Sequence, residues 1–473
     1  MSSSAPEPRR TGVACVLLLL AGLSQVLPAP ARAQDAHYWA IPYGPIGQLL
    51  GGALIGSARD LSATFYNPGG LILTKDPTFL VSVDALDRER LRVEVGGDEI
   101  LNSDLSATRT TAAPSIIAGA LPQSLSGPGA RLAWSYLPRF DVSFRANERQ
   151  RLEAEGGAFA ATEIALTEDM SESWFGVTWS QLLDEGTALG GTGYLAYRGH
   201  HYRSEFNAQI DPAGLGATTL LVDNARYNHY RLLAKLGLAM DRGPFQLGLT
   251  LTTPSLGLFG SGDLGFTRSL TGVDLDGDGT PDPYLLSAYE DDIDADYSSS
   301  WAIGAGGSWR AGKTRLHLSA EWYNSVEKDV LTSEPISPGQ GLPEMVLELD
   351  ENLDDVINVG TGIEYELQEK TSLYGAFSFD QSALGEPHDA AFALARWDLY
   401  HLTVGAAARF LGSRITGGIG YTFGSADQDR LFGQLDPDTA PLEPENIEMS
   451  YRQFTFLIGF ELGDTGTPAP AEE

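Results

Sequence analysis

The sequence predicts an all-β chain closed into a transmembrane antiparallel β-barrel, with fourteen strands. Three observations carry this expectation. Apolar and polar residues alternate with period two in many windows, short and long connections alternate along the chain, and no segment beyond the extreme N-terminus is apolar enough to span a membrane as a helix. Hydrocarbon tolerates no unpaired backbone groups, so a membrane role without a spanning helix requires a closed barrel.

Composition narrows the function classes. The 473 residues include 54 Gly and are 42 % apolar, which excludes a disordered chain, and no Gly-X-Y period is present. Lys and Arg total 31 against 63 acidic residues, a net charge of -32, so phosphate neutralisation and nucleic-acid binding are excluded.

The first element is an export signal, residues 1–33. Arg9 and Arg10 precede an apolar run from Val13 to Leu27, and Ala31-Arg32-Ala33 supplies a small-x-small cleavage site before Gln34. The competing reading is an N-terminal membrane anchor, for which the run is short. Cys15, the sole cysteine, lies inside this segment, so the mature chain contains no disulfide. Residues 34–76 follow as a Gly-rich, apolar segment without strand alternation.

The barrel is expected over 77–463. In its clearest windows Phe245, Leu247, Leu249 and Leu251 interleave with Gln246, Gly248, Thr250 and Thr252, and Leu316, Leu318 and Trp322 interleave with Arg315, His317 and Glu321. The same pattern recurs over 357–366, 401–410 and 454–461. Strands are placed near 78–95, 113–121, 130–145, 173–182, 187–202, 229–241 and 244–253, then near 297–310, 313–323, 355–368, 371–380, 399–411, 413–424 and 450–462. Tight turns at Arg242-Gly243, Ala311-Gly312, Gln368-Glu369-Lys370 and Gly412 alternate with long connections at 254–296, 324–354, 381–398 and 425–449. Loops sorted by length to opposite ends are characteristic of outer-membrane barrels. Trp179, Tyr230, Trp301, Trp309, Trp322, Tyr365 and Tyr421 fall on the apolar faces, most near strand ends, as rings at a membrane interface would. The competing reading is a soluble sandwich, against which the opposite faces carry Gly, Thr and charge. A Pro- and acid-containing tail, 464–473, is expected to be disordered and periplasmic.

The stretch from Gly44 to Leu71, with Asp60 seven residues before Asn67-Pro68-Gly69, resembles the start of the FadL family of outer-membrane transporters for long-chain fatty acids and other hydrophobic compounds. Phe377-Ser-Phe-Asp-Gln-Ser382 and Leu399-Tyr-His-Leu-Thr-Val-Gly405 are similar to later strand motifs of that family. The resemblance spans about 44–463. It implies that 34–76 form a small hatch plugging the barrel, with Asp60, Asn67, Pro68 and Gly69 at the gate, and that the barrel passes hydrophobic small molecules without energy input. It also implies a wall-strand kink opening a lateral exit, for which Pro138 is a candidate; an end-of-strand proline is the plainer reading. Gly69 stands where the family usually has Ala, and the acidity of the chain is high for an importer of anionic fatty acids.

Arg231, Lys235, Arg315, His317 and Arg409 on inward-facing positions could hold a ligand carboxylate, or could form a structural network with Glu321, Glu364 and other acids. Asp274, Asp276, Asp278, Thr280 and Asp282 with Gly279 have the spacing of a calcium loop in an outward-facing connection, although Leu285 stands where a bidentate Glu is usual; an acidic solvated loop is the alternative. No cofactor is required. Gly191-Thr-Gly-Tyr-Leu-Ala196 matches a nucleotide-loop pattern but lies within a strand, and reads as a lumen-facing glycine stripe. No G-x-S-x-G or H-E-x-x-H is present, which argues against an enzyme. The expected partners are outer-membrane lipid and a hydrophobic small molecule, with no nucleic acid and a monomeric barrel. The competing function is a structural or adhesive barrel with acidic, calcium-binding surface loops.

Overall fold

The computed structural model describes residues 36–75, 77–96, 103–153, 159–211, 216–272, 280–339, 341–384, 397–410, 412–428 and 446–463. The predicted signal 1–33 and tail 464–473 lie outside them.

The barrel begins with β1 (Pro77–Gly96), β2 (Ser103–Ala120), β3 (Ala130–Glu153), β4 (Phe159–Asp184) and β5 (Thr187–Asp211). It continues with β6 (Ala217–Arg242), β7 (Phe245–Thr252), β8 (Leu256–Thr271), β9 (Tyr284–Asp294), β10 (Ala302–Ala311) and β11 (Thr314–Tyr323). The remaining strands are β12 (Val326–Thr332), β13 (Glu348–Leu353), β14 (Val356–Gln368), β15 (Thr371–Asp380), β16 (Leu399–Phe410), β17 (Ser413–Gln428) and β18 (Asn446–Gly463).

Fourteen of these close into one antiparallel ring, with β7 followed by β10, β11 followed by β14, and β18 pairing back onto β1. All fourteen sequence-placed strands are in that ring. The alternation is inside-out relative to a soluble sheet. On β7, Phe245, Leu247, Leu249 and Leu251 face outward at 41–51 % exposure, while Gln246, Thr250 and Thr252 are buried. Outward Leu, Ile, Val and Phe recur around the ring, with Trp179, Trp309, Tyr365 and Tyr421 among them. That surface is what a hydrocarbon environment stabilises. Among the described residues, no helix is long and apolar enough to cross a membrane.

Two parts of the expectation need correction. The connection 254–296 is not a plain loop: it contains the β8–β9 hairpin, which pairs with the upper half of β6. The connection 324–354 contains a separate two-stranded sheet, β12–β13. Strands β3 to β6 run 24–26 residues, well past the span a bilayer needs, so one side of the wall projects beyond the ring. Tyr202, Tyr227, Phe266 and Tyr297 on and beside this projection pack with Val330, Leu331 and Leu349 of the small sheet, and with Leu347 just before it, into one apolar cluster.

The N-terminal segment lies in the lumen. It carries two short helices, α1 (Pro45–Leu49) and α2 (Ala63–Tyr66), and a 3-10 turn at Pro68–Leu73. Its residues touch β1, β16, β17 and β18 on one side of the ring and β4, β5 and β6 on the other.

Candidate functional site: the occupied lumen and the opening in its wall

Asn67 ties the luminal segment to the wall. Its amide donates to the carbonyls of Ile55 (2.9 Å) and Leu238 (3.0 Å), and its Oδ1 accepts from the Gly69 N–H (3.1 Å). Leu238 is on β6, so one of these bonds crosses from segment to barrel. Asp60, 2 % exposed, accepts from the Ser62 N–H (2.9 Å) and hydroxyl and so shapes the segment's own turn. Pro68 starts the 3-10 turn, where its missing N–H costs nothing. Gly69 presses against bare backbone: a Cβ there would lie 2.7 Å from the carbonyl oxygens of Ala188 and Gly237. Wall glycines Gly190, Gly237, Gly248 and Gly306 meet the segment in the same way. The stripe anticipated at 191–196 therefore has the wrong face. Gly193 faces outward, while Gly190 and Gly237, one residue out of that phase, face the lumen.

The lumen is layered with charge. Nearest the long connections, Glu172 of β4 bridges Arg198 (2.9 Å) and Arg231 (2.8 Å), and both guanidiniums lie over the Tyr297 ring at 4.1 and 4.3 Å from its centre. Glu351, from the β12–β13 sheet, is buried in the same cluster, and burial pushes its carboxyl up to about 7 despite the two arginines. Below, Lys235 pairs with Glu321 (3.0 Å), which also accepts from Tyr323 (2.6 Å) and from the Trp39 indole (3.0 Å). His317 Nδ1 shares a hydrogen bond with Ser57 of the segment (2.8 Å), and its Nε2 stands 3.9 Å from Glu364. Arg315, half-buried, donates to Gln246.

Of the five candidate carboxylate-binding cations, Arg231, Lys235, Arg315 and His317 thus meet internal partners, two of them pair with carboxylates of nearby strands, and one seats the segment. Arg409 does not join them: it lies exposed beside the tight turn at the end of β16. Of the calcium-loop residues, Asp274, Asp276 and Asp278 lie outside the described residues; Thr280 is exposed and Asp282 partly so. Among the described residues, no group of three His, Cys, Asp or Glu is placed to hold a metal.

The wall is interrupted between β2 and β3. They pair only over Ile117–Ala120 and Ala133–Tyr136, at the short-turn end, although both strands continue. Two prolines stand where pairing stops: Pro114 on β2, and Pro138 on β3, which also shifts the β3–β4 register. Neither offers an N–H, so the ladder fails from both edges. Pro138 is therefore a mid-strand residue of the opening, not an end-of-strand proline. Higher up, Arg109 of β2 reaches across to Asp141 of β3 (2.8 Å). A cavity of about 230 Å³ extends from the lumen above the segment to both edges of the gap. Arg139, next to Pro138, is buried among the rings of Tyr43, Phe65, Phe140 and Trp174 at 4.9–5.7 Å, donating to Tyr43 (3.0 Å) and to the Tyr38 carbonyl (3.2 Å). Sequence reading missed Pro114 and Arg139; the Pro-x-x-Ile and Pro-Arg-Phe contexts within strands were the available signals.

The described residues thus form a closed fourteen-stranded antiparallel barrel with an N-terminal segment folded into its lumen. No family model matches the chain, and no curated protein matches it by sequence. Among solved structures it is similar to a Pseudomonas aeruginosa FadL homologue, with 10 % identity, a TM-score of 0.58, and coverage of 90 % of this chain and 100 % of that one. The toluene transporter TodX of P. putida gives 14 % identity, a TM-score of 0.58, and coverage of 89 % and 98 %. The CymD monoaromatic hydrocarbon channel gives 12 % identity, a TM-score of 0.50, and coverage of 89 % and 97 %. At these identities the likeness is one of fold.

Proposed function

We propose that the protein is an outer-membrane channel for passive transport of hydrophobic small molecules, in which the luminal segment 34–76 acts as a hatch. The observation that carries this reading is the pairing of an occupied lumen with an unpaired stretch of wall between β2 and β3. A water-filled pore needs neither feature. A molecule that avoids water needs both: a barrier to bulk solvent, and a route out through the wall into lipid. The proteins of similar fold described as a toluene transporter and a monoaromatic hydrocarbon channel support the same class of cargo.

In this reading the ligand enters from the long-connection side, passes into the cavity above the segment, and leaves between Pro114 and Pro138. No bond is made or broken, and the barrel supplies no energy. The pairing of Arg231 with Glu172 and of Lys235 with Glu321 takes two of the candidate cations away from an acidic ligand, which favours aliphatic or aromatic hydrocarbons over fatty-acid anions. Deleting residues 44–70 tests the hatch: reconstituted barrels lacking them should pass small hydrophilic solutes much faster than the intact protein. Equal permeability would overturn the hatch.

A further inference from the structure

The cavity at the wall opening has an uneven charge. Its lining carries Asp84, Asp87 and Glu89 of β1, Asp141 of β3 and Glu168 of β4, with Arg109 as its one Lys or Arg among the described residues. A bulge in β1 between Asp84 and Leu86 creates this concentration. It changes the phase of the strand, so that Asp84 before it and Asp87 and Glu89 after it all turn inward. Arg109 is committed to Asp141, and Glu168 stands 3.6 Å from the His200 ring. Asp87 accepts from Gln453 (2.9 Å) and Thr455 (3.1 Å), and Glu89 from Tyr451 (3.2 Å), so these donors are neutral and supply no counter-charge. Arg139 is not part of the lining: its guanidinium is turned among the rings of Phe65 and Trp174 and donates to the Tyr43 and Tyr38 oxygens.

A second observation points to a ligand. His401 lines the same cavity and is 8 % exposed; its Nδ1 bonds the Thr422 hydroxyl at 2.8 Å, while its Nε2 has no hydrogen-bond partner. A buried ring nitrogen left without a partner is costly unless something else satisfies it. The rest of the lining is apolar, including Trp39, Ile41, Phe140, Trp397 and Leu399.

We infer that this cavity is a charge filter at the exit, accepting apolar molecules whose polar head is neutral or positively charged and rejecting carboxylates. The inference rests on the transport reading and narrows its cargo. A hydroxyl or ammonium head can bond His401 Nε2 or the Asp87–Glu89 pair while the tail lies on the apolar lining. A carboxylate head brought to the same place gains no cation and meets like charge in a site of low dielectric.

Trp39 and Trp397 line the cavity, so their fluorescence reports occupancy. The test titrates the detergent-solubilised full chain at pH 8 with decanol, decylamine and decanoate, which share one tail. Decanol and decylamine should bind at least about tenfold more tightly than decanoate, a difference of about 1.4 kcal/mol. Asp87→Asn with Glu89→Gln should raise decanoate affinity and lower that for decylamine, so that the order of the two reverses or closes. Asp87→Glu, which keeps the charge, should preserve the native order and shows that the site still folds. Decanoate binding as tightly as decanol to the native protein, or an unchanged order in the double variant, overturns the filter alone. Absence of saturable decanol binding overturns the filter together with the transport reading.

Discussion

Replacing Asn67 by Ala isolates the attachment of the luminal segment. The native side chain is 1 % exposed and makes three hydrogen bonds, two that fix the loop and one, to Leu238 at 3.0 Å, that crosses to the wall. Each bond contributes about 0.5–1.5 kcal/mol net, and only the crossing bond is formed directly on seating. With the loosened loop added, the seated state should lose about 1–2 kcal/mol, a roughly 5- to 30-fold shift toward the unseated state. Conductance of single barrels in planar bilayers should show this as longer or more frequent openings, with the open level unchanged. Asn67→Asp keeps the acceptor for Gly69 and loses both donors, so it should fall close to Asn67→Ala. Opening statistics identical to native in both variants would refute the claim that this amide holds the segment against β6.

Pro114→Thr together with Pro138→Thr restores two backbone donors where the β2–β3 ladder stops; amide exchange at 111–116 and 138–142 should slow and release of a hydrophobic probe into vesicle lipid should fall, whereas unchanged exchange would show that the prolines do not hold the gap open. Glu351 has a folded pKa near 7 against 4.5 when free, so between these values the docked state holds a proton that the undocked state has lost. Docking of the β12–β13 sheet therefore weakens as pH rises through that window, and protease protection of 326–353 should fall from about pH 5 to about pH 8 in the native chain but stay level in Glu351→Gln; a slope retained in the variant would assign the effect elsewhere. Lys235→Met strands Glu321, 3 % exposed, and should destabilise the barrel by about 3–5 kcal/mol in thermal unfolding, with Glu321→Leu added to it recovering most of the loss.

The fourteen ring strands were legible because lipid and lumen impose opposite demands on alternate residues, as at Phe245–Thr252, and because tight turns and long connections sort to opposite ends. The strands that escaped notice, β8, β9, β12 and β13, lie outside the fourteen-stranded ring, and Gly257, Gly260, Gly262 and Gly265 blur the period of β8. At the candidate site, Asn67-Pro68 was readable as a motif, but its docking was not. It depends on Gly190 and Gly237, which are distant in sequence and mean nothing until β5 and β6 stand side by side. Lys235 and His317 were correctly placed inside the lumen, yet their partners Glu321 and Ser57 come from another strand and from the segment. Asp87 and Glu89 drew no attention, because the bulge that turns them inward also breaks the pattern that would have oriented them.

The place where the chain's two ends meet is not the weak join of the ring. β1 and β18 are laddered from Pro77–Gly463 to Gly96–Asn446, whereas β2 and β3 share four residue pairs. Mechanically the sheet begins at β3 and finishes at β2, a circular permutation of the order in which it is synthesised. The N-terminal hairpin belongs to the C-terminal strands, and assembly of the wall is complete only when that hairpin has been carried round and fastened to β18. Tension or heat applied to the barrel should part it at the 121–129 turn side of β2 and leave the seam between first and last strands intact. New chain ends cut into that connection would disturb the sheet less than ends cut into any of the tight turns.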